Sequence, residues 1–320
     1  MKRVPHAHAA SQAREPSAGS HAIITALATR CLPASPWVPR GGGASYRPRI
    51  KSFLLTKSKM TDAAPEAEGE TAATTSTVPA SFTLQAAPNP GWAPGQKQHN
   101  PFGHDRMLTF DPAALTSCYP LMISAVVPRP IALVSSVSAE GVGNLAPFSY
   151  STVISHDPPC VLFSVCRKPN GDKKDTWVNV QATGEFVVCI MSEWFINAAN
   201  HTCGNFLEAE DEFDVSGLTR VASLKVKPPR VAESAFHMEC KLRHHYDITN
   251  AAGDVTATAV IGEVVMFHVH EEVADLEFGE GKPKIDMARY QPVSRLGGNI
   301  YGRTDTGFEL PRPDRPAGGR

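Results

Sequence analysis

No apolar run in this sequence approaches the ~20 residues that a membrane-spanning helix needs, so no segment reads as a membrane span. Paired cysteine spacing is missing as well. Cys31, Cys118, Cys160, Cys166, Cys189, Cys203 and Cys240 are scattered without a C-x-x-C pair. That spacing builds neither a disulfide framework nor a zinc site. Several of these cysteines lie inside apolar strand-like runs, as small buried hydrophobes of a reducing compartment do. Acid is nearly absent from residues 1–60, which hold ten Lys or Arg and only Glu15. The remainder carries 21 basic against 31 acidic residues, a net charge of about −10. A body of that sign argues against nonspecific nucleic-acid binding. Internal repeats and regular strand–helix alternation are also lacking, which disfavours a parallel α/β sheet.

What is present divides the chain into four parts. Residues 1–60 are rich in Ala, Ser, Arg and His, the composition of an organellar transit peptide. Met60, followed by Thr-Asp-Ala-Ala-Pro-Glu-Ala-Glu, reads equally as an acidic cytosolic start. A cytoplasmic product is favoured, with a mitochondrial one if 1–60 are a transit peptide. Residues 61–104 have the Ala/Pro/Thr/Gly bias of a disordered linker. The folded domain is expected over 105–305, and 306–320 form a Pro/Gly/Arg-rich loose tail.

Within the domain, Leu115–Tyr119 suggests a turn of helix. Two β-branched runs, Ile131–Val137 and Cys160–Cys166, flank a hairpin turn and a segment stiffened by Pro147. A helix is expected from about Lys174 to Ala182, stopped by Gly184 as its C-cap. Phe186–Ile190 reads as a buried strand and Glu193–His201 as a short helix. Asp211–Val221 is irregular and acidic. Val231–Ile248 and Val255–Val269 are long strands, with Gly262 marking a bulge or a close approach. Glu271–Tyr290 is a charged loop leading to the turn-rich Pro292–Arg303. Dominant strands with few short helices point to a small closed or split antiparallel barrel.

Gly141-Val-Gly-Asn-Leu-Ala146 satisfies the dinucleotide fingerprint, but a helix has to begin at those glycines. Pro147 and the β-forming residues after it argue against that helix, so the glycines are better read as a hairpin turn. Arg167, Lys168, Lys173 and Lys174 surround Asn170-Gly171 and open onto a helix start. A helix start offers free N–H groups and positive potential to a phosphate; a solvated basic turn is the competing reading. Backbone groups around Pro147 in Asn144–Ser149 cannot all join a ladder, and free amides at a strand end suit the polar edge of a flat heterocycle. His268-Val-His270 puts two imidazoles on one strand face, but further ligand spacing is missing, so no metal is assigned. Ser135-Ser136 lacks a nucleophile elbow. Trp177, Trp194 and Phe195 read as core or interface.

The segments Pro128–Ser136 (PRPIALVSS), Asn144–Ser149 (NLAPFS), Lys174–Thr176 (KDT) and Arg295–Arg303 (RLGGNIYGR) together resemble the flavin reductase-like, FMN-binding split-barrel family that includes flavoredoxin. The likeness runs from about Asp105 to Arg303. It implies a six-stranded antiparallel split β-barrel, a homodimer, and noncovalent FMN near the subunit interface. It places Ser135 and Ser136 on the strand beside the flavin. Asn144, Ala146, Pro147 and Ser149 border the isoalloxazine and ribityl chain, and Arg167, Lys174, Asp175 and Thr176 gather at the phosphate. Arg295 and Tyr301 belong to the closing motif. The implied activity is NAD(P)H-dependent reduction of free flavin or a small-molecule acceptor, through hydride transfer to FMN N5. No side chain is assigned as catalytic, since that chemistry belongs to the cofactor. The alternative is an FMN-binding electron carrier or module without turnover. Related reductases often carry Gly-Asp-His where this chain has Gly253-Asp254-Val255, which leaves the reductant open.

Overall fold

The computed structural model of the chain describes residues 81–277 and 281–313. The leader at 1–60, the linker as far as residue 80 and the tail from residue 314 lie outside the described residues. Seven strands dominate: β1 (Ala132–Val137), β2 (Gly143–Phe148), β3 (Ser151–His156), β4 (Pro159–Cys166), β5 (Glu185–Ile190), β6 (Phe236–Thr249) and β7 (Val255–Val269). They form one sheet in the order β2-β1-β5-β6-β7-β4-β3, and every neighbouring pair is antiparallel.

The two edge strands, β2 and β3, follow one another in the chain with only Ser149 and Tyr150 between them. The sheet therefore has to curl until its edges meet. Phe148 on β2 lies 5.2 Å, ring to ring, from Phe163 on β4, which closes the interior across the seam. No ladder joins β2 to β3, so the barrel stays split. The expected count of six strands is corrected to seven. One extended path breaks at Ser149–Tyr150; its first half pairs with β1 and its second half with β4.

Side-chain alternation then sorts two cores. Ala132 and Val134 face the barrel interior with Phe163, Phe186 and Val260. Leu133 and Leu145 face the other way, onto Phe195 and Phe213. Phe195 ends a 3-10 turn, Glu193–Phe195, which runs into a short helix, and Phe213 lies in another short helix, Glu212–Ser216. β7 spans the residues expected of it, and both readings of Gly262 hold. Arg243 is an extra residue opposite it, because Leu242 pairs with Gly262 and His244 with Ile261. A Cβ at Gly262 would also lie 2.2 Å from Phe186 Cζ.

Helix α1 (Tyr119–Ala125) begins where the expected turn ended, because Pro120 suits a first helical turn. Helix α2 (Asp175–Thr183) matches its expectation, and Gly184 ends it at φ 71° with its N–H donating to Val180 O. Trp177 and Val180 of α2 are buried in the barrel core. A hairpin of β8 (Ser294–Gly297) and β9 (Ile300–Gly302) pairs through β8 with Arg129–Pro130. The charged loop after β7 contains a short ladder, Ala274–Asp275 with Lys284–Ile285. Thr83–Gln85 pairs in parallel with Thr306–Phe308, outside the 105–305 span expected for the domain. No helix among the described residues is long and apolar enough to cross a membrane.

Under the loop between Arg220 and Val231, β6 carries a buried polar pair. Glu239 is fully buried and accepts the Leu224 and Lys225 amides at 2.7 and 2.6 Å, while His268 Nε2 lies 2.6 Å from its carboxylate. Burial alone would raise this carboxyl, but those partners outweigh it and hold it below its ordinary value. His237 places Nε2 at 2.8 Å from Val231 O and leaves Nδ1 buried without a partner. Burial, with Arg230 and His268 nearby, pushes His237 down to about 4, against Glu239 and the Val231 carbonyl. A depressed histidine keeps its full contribution above its unfolded value near 6.5 and loses it as pH falls towards about 4. The expected loss is on the order of 3 kcal/mol. Urea unfolding at pH 7.5 and pH 4.5 measures it, and His237→Gln should flatten the dependence by about that amount. An unchanged slope in the variant would remove His237 from the account.

Candidate functional site

A cleft of about 300 Å³ opens where the broken β2–β3 path meets the β8–β9 hairpin. Its floor and walls come from Arg129, Ile131, the Pro147–Tyr150 stretch, and Ser164 and Cys166 on β4. Lys174 enters from the start of α2, Tyr119 from α1, Asn200 from the helix after Phe195, and Arg295 and Tyr301 from the hairpin. Pro147 is tolerated because β2 is an edge strand, with no neighbour waiting for its missing N–H.

Arg129 is 7% exposed. Its Nη1 donates to Ile123 O at 2.6 Å and Val126 O at 2.7 Å, carbonyls at the end of α1, and its Nε faces Ser149 Oγ at 3.5 Å. Arg295 donates to Gly298 O and lies 4.4 Å above the Tyr301 ring. Tyr301 in turn donates to Asn200 Oδ1 at 2.5 Å. Burial raises the Tyr301 hydroxyl despite the opposing charge of Arg295. Burial likewise raises the Tyr150 hydroxyl, with Cys166 and Tyr119 adding to it and Arg129 opposing. Both phenols therefore remain protonated hydrogen-bond donors at neutral pH.

Lys174 is exposed and sits at the N-cap of α2, which no side chain caps. The first amides of the helix are thus left for water or an anion. The ion pairs of this loop belong to its neighbours: Lys168 Nζ lies 3.0 Å from Asp175 Oδ1, and Arg167 pairs with Asp247. The cleft is lined by three cations, Arg129, Lys174 and Arg295, and by no acidic side chain among the described residues.

The ten residues singled out from the sequence fall into distinct places. Pro147, Ser149 and Lys174 line the cleft. Ser136, Asn144 and Thr176 form a buried network instead. Asn144 Nδ2 donates to Thr176 Oγ1 at 2.9 Å and to Ser136 Oγ at 3.2 Å, and Asn179 Nδ2 also reaches Ser136 at 3.2 Å. That network ties the first turn of α2 to β1 and β2, and so fixes where the helix start points. Ala146 packs on the barrel core. Ser135 lies on the opposite face from Ser136, its hydroxyl buried without a partner. Arg167 borders a separate shallow groove beside the β6–β7 hairpin, with Nη2 3.5 Å from Asp247 and Nη1 buried without a partner. Asp175 is held by Lys168.

Arg295 and Tyr301 of the closing motif join the cleft. Arg129, Tyr150, Ser164, Cys166, Asn200 and Cys203 line it without having been singled out. Tyr150 directly follows a chosen motif and Arg129 lies inside another, so both could have been found by extending those motifs. Asn200 and Cys203 carry no such signal. The expectation of buried thiols holds for Cys160, Cys189 and Cys240, whereas Cys166 and Cys203 are exposed. His268 serves Glu239, and His270 accepts the Glu272 amide at 3.2 Å.

A family model described as a flavin reductase like domain matches residues 123–284. An uncharacterized protein of Halalkalibacterium halodurans is 44% identical over 195 residues, covering 61% of this chain and 90% of that protein. Among solved structures, nitrilotriacetate monooxygenase component B from Bacillus cereus matches at 35% identity with a TM-score of 0.60, covering 65% of this chain and all of that one. The Pseudomonas fluorescens 2-nitrobenzoate 2-nitroreductase matches at 30% identity with a TM-score of 0.57, covering 66% of this chain and all of that one.

Proposed function

From this chain's membership of the flavin reductase like family, we propose that it is an FMN-binding oxidoreductase drawing hydride from NAD(P)H and passing electrons to free flavin or a small-molecule acceptor. The observation that carries the reading is the cleft itself: an uncapped helix start bearing Lys174 in a cleft also lined by Pro147, Phe148 and Tyr150, with no acid among its lining residues. These residues fit the cofactor. Lys174 and the first amides of α2 would hold the phosphate, while Pro147, Phe148 and Ser149 would border the ring. Asn144, Thr176 and Ser136 act one layer further out, keeping the helix start aimed at the cleft. When bound, FMN supplies the hydride-accepting N5, and the protein contributes orientation, water exclusion and charge.

A homodimer belongs to the same reading. Val153, Ile154, Tyr246 and Ile248 leave 68%, 46%, 67% and 42% of their surfaces exposed, an apolar display suited to a second copy. An electron carrier without nicotinamide turnover is the second reading. It is favoured by the Gly253-Asp254-Val255 turn, which places no histidine ahead of β7.

One preparation tests all three statements. The purified protein, loaded with FMN, is expected to be yellow, dimeric by light scattering, and able to oxidise NADH or NADPH. Bound flavin without oxidation of either nucleotide would leave the carrier reading. A colourless protein that takes up no FMN would end both.

A further inference from the structure

The charge of the cleft exceeds what one flavin requires. An FMN phosphate held at Lys174 leaves two guanidinium groups, Arg129 and Arg295, with no carboxylate partner in a cleft lined by no acid. Arg129 is the stronger indication. It is 7% exposed, and its fork is held in place by the carbonyls of Ile123 and Val126 through Nη1. Its Nη2 has no hydrogen-bond partner among the described residues, although the side chain lines the cleft. Nη2 is not itself buried, so its N–H pair is open to the cleft, where an anion can accept charge-assisted hydrogen bonds from it. The oxidised isoalloxazine ring is neutral: its carbonyl oxygens can accept from Nη2 but bring no charge to balance the guanidinium.

Arg295 complements Arg129 from the hairpin side. Its guanidinium is held over Tyr301 and against Gly298 O. Two positioned forks are suited to the planar oxygens of a carboxylate, which point charges such as lysine recognise less specifically. Tyr119, Tyr150 and Tyr301 supply aromatic surface around them, and Tyr119 and Tyr150 add hydroxyl donors, the Tyr301 hydroxyl being engaged by Asn200.

We propose that the cleft binds a second, anionic ligand alongside the flavin, a small carboxylic acid of aromatic size, with its carboxylate between Arg129 and Arg295. This rests on the flavin reading for the occupant of the Lys174 end, and it names the acceptor class as carboxylate-bearing.

The test titrates FMN-loaded protein with benzoate and with its neutral isostere benzamide, reading the flavin absorption band and, independently, heat by calorimetry. Benzoate should bind at least about tenfold more tightly than benzamide. Arg295→Gln should weaken benzoate about tenfold while changing FMN affinity less than about twofold. Arg129→Gln should do the same, with Arg129→Lys retaining part of the binding; thermal melts establish that each variant is folded. If an Arg129 variant does not fold, Arg295→Gln alone decides. Equal affinity for benzoate and benzamide would overturn the proposal. So would loss of FMN rather than benzoate in the Arg295 variant, which would give that cation to the flavin phosphate. Competition by NADPH but not by benzoate would assign the two cations to a nucleotide pyrophosphate instead, and overturn it as well. A protein that binds no FMN but still prefers benzoate in the calorimeter would sink the flavin reading and leave this one standing.

Discussion

Lys174→Glu should weaken FMN binding by roughly 30-fold while leaving riboflavin, which has no phosphate, within about twofold of the parent protein. The ammonium is solvent-exposed, so its attraction for a phosphate is discounted to about 1 kcal/mol. Reversing the charge adds a repulsion of similar size, and about 2 kcal/mol corresponds to that factor. Damage to the helix is not an alternative cause. Lys174 is the N-cap of α2, where an acidic side chain interacts favourably with the helix dipole. Fluorescence titrations at low salt and at 0.5 M salt make the measurement, and the gap between variant and parent should narrow as salt screens it. If riboflavin and FMN lose affinity equally, the phosphate does not lie at this helix start.

What the sequence discloses about this site follows from how local each signal is. Gly184 stops α2 by a rule that needs only its neighbours, and the β-branched run Val255–Val269 forms one strand at its expected limits. Lys174 and Pro147, whose signals are equally local, line the cleft. The Ser135-Ser136 pair divides, since adjacent strand residues point to opposite faces: Ser136 joins the Asn144 network and Ser135 turns the other way. Asp175 reads as a phosphate-end residue by motif, yet its carboxylate neutralises Lys168. Arg129 lies inside a chosen motif, but its burial is not legible there. Its burial depends on the carbonyl end of α1 arriving above it, and an arginine between two prolines otherwise reads as solvated. Asn200 and Cys203 reach the cleft only because the short helix carrying Asn200 docks against the outer face of the sheet, a placement set by Phe195 and Ala199 in the second core. The seventh strand was hidden too, because a break at Ser149–Tyr150 moves the chain between sheet edges without any composition change.

Gly262→Ala should cost about 3 kcal/mol or more, lowering Tm by roughly 6 to 12 °C for a domain of this size. The added Cβ would lie 2.2 Å from Phe186 Cζ and 3.2 Å from Cys240 Cβ. Phe186 is fully buried, with its ring 5.3 Å from that of Phe163, so it has no free volume to enter. Alanine is otherwise the better strand residue, since it costs less backbone entropy than glycine; a loss of stability therefore reports the collision. Phe186→Leu alone opens a cavity and should cost on the order of 2 kcal/mol. In combination the shorter side chain makes room for the new methyl, so the double variant should be at least about 1 kcal/mol more stable than the sum of the two singles. Simple additivity in urea unfolding would show that Phe186 is not what meets residue 262. The collision also reaches the cleft. Phe163, against which Phe186 packs, precedes Ser164 on β4, and Ser164 and Cys166 form one wall of the cleft. The single variant should therefore bind FMN several-fold more weakly at a temperature where it is still folded, and the Phe186→Leu partner should restore that affinity together with the stability.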